Sequence, residues 1–122
     1  MKVKVLDHLK DGKKIELGSG KTFRTVFRTV DRETCGSELL ASGITYFEPG
    51  TSSSVHSHLS SEEINLVIKG SGILESEGER LPFKAMDYLF IPKGVEHRHH
   101  NTGKETLVLL WLYTPPGELP RD

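Results

Sequence analysis

Five of the six histidines fall in two tight clusters, His56 with His58 and His97 with His99 and His100. On an extended strand, residues two apart project from the same face, so the His56 and His58 rings point the same way. Glu63 follows His58 by five residues, across the polar turn Leu59-Ser60-Ser61, and a bend there returns its carboxylate to the two imidazoles. His97 comes 34 residues after Glu63, just past the turn Pro92-Lys93-Gly94. Three imidazoles and one carboxylate form a borderline-to-hard donor set that suits one divalent transition metal: Fe, Mn, Ni, Zn or Cu. Four protein ligands on an ion that prefers six leave two adjacent positions for water, dioxygen or a substrate chelating through two oxygens. Imidazole must be neutral to ligate, and its ordinary pKa of ~6.5 predicts that affinity falls below about pH 6.

The same strand parity predicts what surrounds the ligands. Asn65 lies two residues beyond Glu63 and His99 two beyond His97, so both should face inward with their neighbours. Asn65 is expected to orient a substrate. His99 is expected to sit behind the ligands or to move a proton, since imidazole titrates near neutral pH. His100 should point outward, and Asn101 should bond its own turn. Trp111 and Tyr113 share one face of the last apolar run and read as core. Cys35, beside Gly36, has no cationic neighbour in sequence and reads as an inert loop thiol.

Short strands must position these residues. Turn residues recur at close intervals: Asp11-Gly12, Gly18-Ser19-Gly20, Pro49-Gly50, Gly70-Ser71-Gly72, Glu77-Gly78-Glu79, Pro92-Lys93-Gly94 and Asn101-Thr102-Gly103. The runs between them, rich in β-branched and aromatic residues, predict strands over 22–30, 39–47, 64–68, 88–91 and 106–113. Many short strands of this kind predict an all-β sandwich or barrel. Arg24, Arg28 and Arg32 are four apart, which fits a helix face or a strand face, and the neighbouring Thr, Val and Phe residues favour the strand. Pro115-Pro116 ends the last strand, because proline donates nothing to a ladder.

The residues around the histidines carry a resemblance. Gly50-(x5)-His56-x-His58-(x4)-Glu63-(x6)-Gly70 resembles the first motif of the cupin superfamily, and Pro92-x-Gly94-(x2)-His97-(x3)-Asn101 resembles the second. The resemblance implies a double-stranded β-helix, or jelly roll, forming one small domain over 1–122. Residues 50–101 hold both motifs, 1–32 form N-terminal strands and 114–122 a tail. It carries the metal role onto His56, His58, Glu63 and His97. Glu62 is the rival carboxylate, but Glu63 leaves the six residues before Gly70 that the motif has, and adjacent strand positions face opposite ways. In one departure, Met86 stands where the second motif usually opens with glycine; this bears on a turn's backbone, not on the ligands. The resemblance spans dioxygenases, isomerases or epimerases, lyases or decarboxylases, and modules that bind a small molecule without turnover. A small metalloenzyme is the leading reading.

Composition narrows the remaining classes. The 122 residues fit one domain, and 35% apolar content predicts a modest core. Sixteen basic residues against seventeen acidic ones lack the excess of a nucleic-acid binder. The longest apolar run, Leu107–Tyr113, is too short to cross a bilayer, and residues 1–7 carry no secretory-type apolar stretch. A single cysteine makes no internal disulfide, which predicts a reducing, cytoplasmic setting. Residues 1–32 carry nine basic and four acidic side chains, residues 33–122 seven and thirteen. That asymmetry, the low apolar content and the alternation of Phe23, Thr25 and Phe27 with Arg24, Val26 and Arg28 predict a homodimer that pairs through the N-terminal strands. The rival is an intramolecular edge strand with solvated arginines.

Overall fold

The structure is a computed structural model, and it describes residues 2–117. Nine strands are β1 (Lys13–Leu17), β2 (Arg24–Val30), β3 (Ala41–Phe47), β4 (Glu62–Lys69), β5 (Ser71–Ser76), β6 (Glu79–Lys84), β7 (Tyr88–Ile91), β8 (Arg98–His100) and β9 (Leu107–Thr114). A single helical turn, α1 (Arg32–Cys35), follows β2 and is capped by Asp31, whose side chain accepts from the Thr34 N–H. The strands form a six-stranded sheet in the order β1-β2-β3-β9-β4-β7 and a three-stranded sheet in the order β6-β5-β8, with every pairing antiparallel. This is the jelly-roll architecture that the turn spacing and the two motifs predict.

Strict alternation of burial shows why these segments are strands. In β3 every second residue from Ala41 to Phe47 is buried, and in β9 every second residue from Leu107 to Tyr113. One face of the large sheet therefore lines the interior while the other looks out. Two apolar clusters fill the interior. Phe47, Val67, Leu74, Phe83, Ile91, Leu107 and Leu109 form one; Leu17, Val26, Ala41, Trp111 and Tyr113 form the other. Trp111 fits because Gly43 faces it: a Cβ on Gly43 would lie 2.5 Å from the Trp111 ring.

Two expectations about backbone and packing are revised. The arginines of β2 are not solvated. Arg24 and Arg28 are 6% and 7% exposed and point inward with Val26, whereas Phe27 packs outside against His8 and Tyr46. Arg28 is held by Asp31, Nε to Oδ2 at 3.0 Å, and β2 is an inner strand between β1 and β3. Sequence alternation shows that two faces differ, but here the face carrying both arginines is the inner one. The second revision concerns His56 and His58, which lie outside any strand. His56 makes only an isolated bridge to His97. Residues 118–122 of the expected tail lie outside the described residues.

Met86 keeps the glycine-like turn. Its φ is +74°, while its N–H donates to the Val67 carbonyl and the Val67 N–H to the Asp87 carbonyl. The left-handed backbone that a glycine would supply is thus retained at a strain of about 1–2 kcal/mol.

Candidate metal centre

His56 and His97, 41 residues apart, are joined backbone to backbone. Each N–H donates to the other's carbonyl, at 3.0 and 2.9 Å, which sets their rings 4.1 Å apart. His58 follows two residues after His56; its carbonyl accepts from the Gly94 N–H at 2.8 Å, and its ring stacks on Tyr113 at 4.5 Å. Glu63 enters from β4, where it pairs with Ile91 of β7 and Tyr113 of β9. The four side chains each bring a donor atom, and all four atoms lie within 4.8 Å of one another. Glu62, the rival carboxylate, is on the exposed face of β4.

The donor chemistry fits a cation. The Nδ1 atoms of His56 and His97 face the carbonyls of Ser54 and Val95 at 2.9 and 3.0 Å, so each carries its proton there and keeps a lone pair on Nε2. Glu63 Oε1 lies 3.4 Å from that His97 Nε2 and 3.2 Å from His58 Nε2. Glu63 Oε1 and His97 Nε2 are buried, and neither has a hydrogen-bond partner among the described residues. Two acceptors facing each other without a proton are costly in an interior, and a shared cation would satisfy both.

Electrostatics keep His56 and Glu63 in ligating form. Burial drives the His56 pKa down to about 4, helped by the neighbouring His97. Burial alone would raise Glu63, but without a cation, protons shared from the His58 and His97 imidazoles outweigh it and hold the carboxyl far below the usual range. Protons therefore compete for His56 well below the pH 6 expected from free imidazole.

Three of the donors, His56, His58 and Glu63, line a cavity of about 110 Å³ whose wall includes residues of both apolar clusters, among them Phe47, Leu109, Trp111 and Tyr113. Trp111 and Tyr113 stack at 5.2 Å, so the pair expected in the core also lines the cavity. His99 is 4% exposed and faces in, and Asn65 is 1% exposed. Asn65 does not point a free amide at the cavity: Nδ2 donates to Glu63 Oε2 at 2.8 Å and the Ile64 carbonyl at 3.1 Å, and Oδ1 meets His99 Nε2 at 2.7 Å. His100 points away and meets Glu75 at 3.1 Å. Asn101 accepts from the Gly103 N–H within its own turn and also donates to the Phe47 and Glu105 carbonyls. Cys35 ends α1, half-buried.

Sequence reasoning missed four polar residues of the wall, Arg24, Thr45, Ser53 and Ser57. Arg24 donates to the Thr22 carbonyl at 3.0 Å and approaches Ser54 Oγ at 3.5 Å. Thr45 shares the inner face of β3, and Ser53 Oγ accepts from the His99 N–H at 3.0 Å. The spacing of Arg24, Val26 and Arg28 was the available signal for Arg24.

The family model described as "Cupin domain" matches residues 43–113, which contain all four donors. The chain belongs to the cupins. A protein of Aquifex aeolicus is 42% identical over 65 residues, 53% of either chain. An oxalate-binding protein of Thermotoga maritima is 36% identical over 62 residues, 51% of either chain. The matches thus span about half the length of these curated relatives. The crystal structure of a predicted oxalate decarboxylase of Thermotoga maritima superposes with a TM-score of 0.78 at 24% identity, covering 91% of this cupin and 98% of that chain. At that identity the likeness speaks for the fold.

Proposed function

We propose that His56, His58, Glu63 and His97 hold one divalent transition metal, and that this cupin is a metalloenzyme acting on a small molecule that chelates through oxygen. The observation that carries the reading is the convergence of four acceptor atoms, two of them buried and unsatisfied, beside a cavity of about 110 Å³. Metal bound there supplies Lewis-acid polarisation of an oxygen ligand. The chain's own residues do the rest. The carbonyls of Ser54 and Val95 fix two imidazoles, Asn65 steadies the carboxylate, and the Trp111–Tyr113 stack forms one wall of the cavity. Such a centre suits a dioxygenase on an enediol, β-diketone or phenol, an isomerase or epimerase that passes a proton through an enediolate, or a lyase or decarboxylase that uses the metal as a Lewis acid. Elemental analysis of purified protein tests the metal, and turnover with and without oxygen separates the chemistries. One equivalent of metal is expected; a metal-free protein that takes up none refutes the reading.

The oxalate-binding relative favours a second reading, a module that binds a small chelator without converting it. A ligand-induced thermal shift with no turnover under either atmosphere selects it.

The cupin is further proposed to be a homodimer, paired through its N-terminal strands, where β1 is the edge of the large sheet. Sedimentation at micromolar concentration should show twice 13.6 kDa, and a monomer there rejects the pairing. A reducing, cytoplasmic setting is proposed on the single cysteine, and no nucleic-acid partner on the balanced charge. Among the described residues, no helix is long and apolar enough to cross a membrane.

A further inference from the structure

Asn65 links the carboxylate Glu63 to the non-ligand histidine His99, and the direction of that link fixes where His99 carries its proton. The Asn65 Nδ2 lies 2.8 Å from Glu63 Oε2 and 3.1 Å from the Ile64 carbonyl. A backbone carbonyl only accepts, so the Asn65 atom facing it is the NH₂ group; the opposite orientation would set oxygen against oxygen at both contacts. The other end of the amide, Oδ1, therefore meets His99 Nε2 at 2.7 Å. That oxygen also only accepts, so the His99 proton sits on Nε2. The lone pair is then on Nδ1.

His99 has little freedom to rearrange. Its N–H donates to Ser53 Oγ at 3.0 Å, its carbonyl accepts from the Ser53 N–H at 2.9 Å, and its ring packs against Phe47 at 6.1 Å. The ring lines the cavity, and its Nδ1 makes no hydrogen bond to the described residues. An acceptor on the cavity wall favours a partner that brings a donor, because a ligand without one leaves it unsatisfied.

We propose that Asn65 is a positioning residue that locks His99 in its Nε2–H form, so that His99 offers Nδ1 to the cavity as an acceptor and the site selects chelators that keep a proton on oxygen, such as 2-hydroxy acids and enols. The chelator half rests on the metal reading above; the tautomer half does not.

The tautomer is read from long-range proton–nitrogen NMR correlations of histidine-labelled, metal-free protein at neutral pH. His99 is expected with its proton on Nε2 in the wild type and as a mixture of both forms in Asn65→Ala. A wild-type proton on Nδ1, or an unchanged single form in Asn65→Ala, overturns the lock; the wild-type spectrum decides even if a variant fails to fold. The chelator half is read by calorimetry on zinc-loaded protein with glycolate, which keeps its hydroxyl proton, and oxalate, which has none. His99→Leu should weaken glycolate about 10-fold and oxalate less than 3-fold, with zinc content unchanged. Equal weakening, or no glycolate binding by the wild type, overturns the selection. Wild-type protein that takes up no zinc overturns the metal reading and the chelator half with it, while the tautomer result stands separately.

Discussion

Metal-free protein should lose stability steeply between pH 7 and pH 5, because two imidazoles are buried in neutral form. Burial lowers His56 to about 4 and His99 to about 3, from 6.5 in an exposed histidine. In the unfolded chain both take up protons as pH falls through about 6.5, whereas in the folded chain both remain neutral at pH 5. The unfolded state then binds more protons, so stability falls with pH. Each group's contribution drops by about 2 kcal/mol between pH 7 and pH 5, and the pair's by about 4 kcal/mol. At pH 5 the size of the folded shift hardly matters, since any folded pKa of 4 or less gives nearly the same loss. His56 keeps some exposure, so its share is an upper bound. Glu63, depressed rather than raised, adds its own loss only as pH falls below about 4.5.

The assay is urea unfolding in chelator at pH 7 and pH 5, for the wild type and His99→Leu. A loss of about 3–4 kcal/mol is expected in the wild type, and about half that in the variant, which lacks one of the two groups. Constant or rising stability on acidification, or an identical pH slope in His99→Leu, refutes the argument that buried neutral imidazoles govern this range.

Three further outcomes follow from single contacts. His58→Ala removes one of four donors and should abolish stoichiometric metal by elemental analysis; full occupancy in that variant would mean that the centre is elsewhere. Met86→Gly relieves a left-handed residue at φ +74° that is 69% exposed and buries little, and should stabilise the protein by about 1 kcal/mol in thermal unfolding, with a lowered Tm counting against strain. Gly43→Ala drives a methyl to 2.5 Å from Trp111 and should cost about 1–3 kcal/mol with a shifted tryptophan emission; unaltered stability and spectrum would show that the wall yields freely.

The arrangement of the centre was legible where period-two parity applies. Glu63 and Asn65 share a face of β4 because they are strand residues two apart, and the same rule places His97 with His99 at β8. Parity was silent on which face of β2 is inner. Phe27 looks like the core residue and Arg24 like the solvated one, yet His8 and Tyr46 form an aromatic site for Phe27 outside the barrel, and Asp31 accompanies Arg28 inside it. His8 and Tyr46 each lie 19 residues from Phe27, beyond any local pattern around β2, whereas Asp31, three residues after Arg28, was within reach of one. Hydropathy ranks side chains by average cost, whereas burial is decided by the partner that the fold supplies.

The pairing of His56 with His97 marks the deeper limit. Neither residue's strand tendency predicts it, since His56 belongs to no strand and β8 has only three residues. The reciprocal hydrogen bonds exist because the segments before and after them are already placed: Ser53 exchanges bonds with His99, Asn101 donates to the Thr51 carbonyl, and Gly94 donates to His58. Residues 51–58 and 94–101 thus zip together antiparallel, through contacts that are mostly loop backbone. A centre held this way draws its rigidity from a ladder that is paired only intermittently. Metal bound by His56 and His97 would reinforce that ladder across 41 residues, by adding a crosslink at the one bridge that joins two of its ligands.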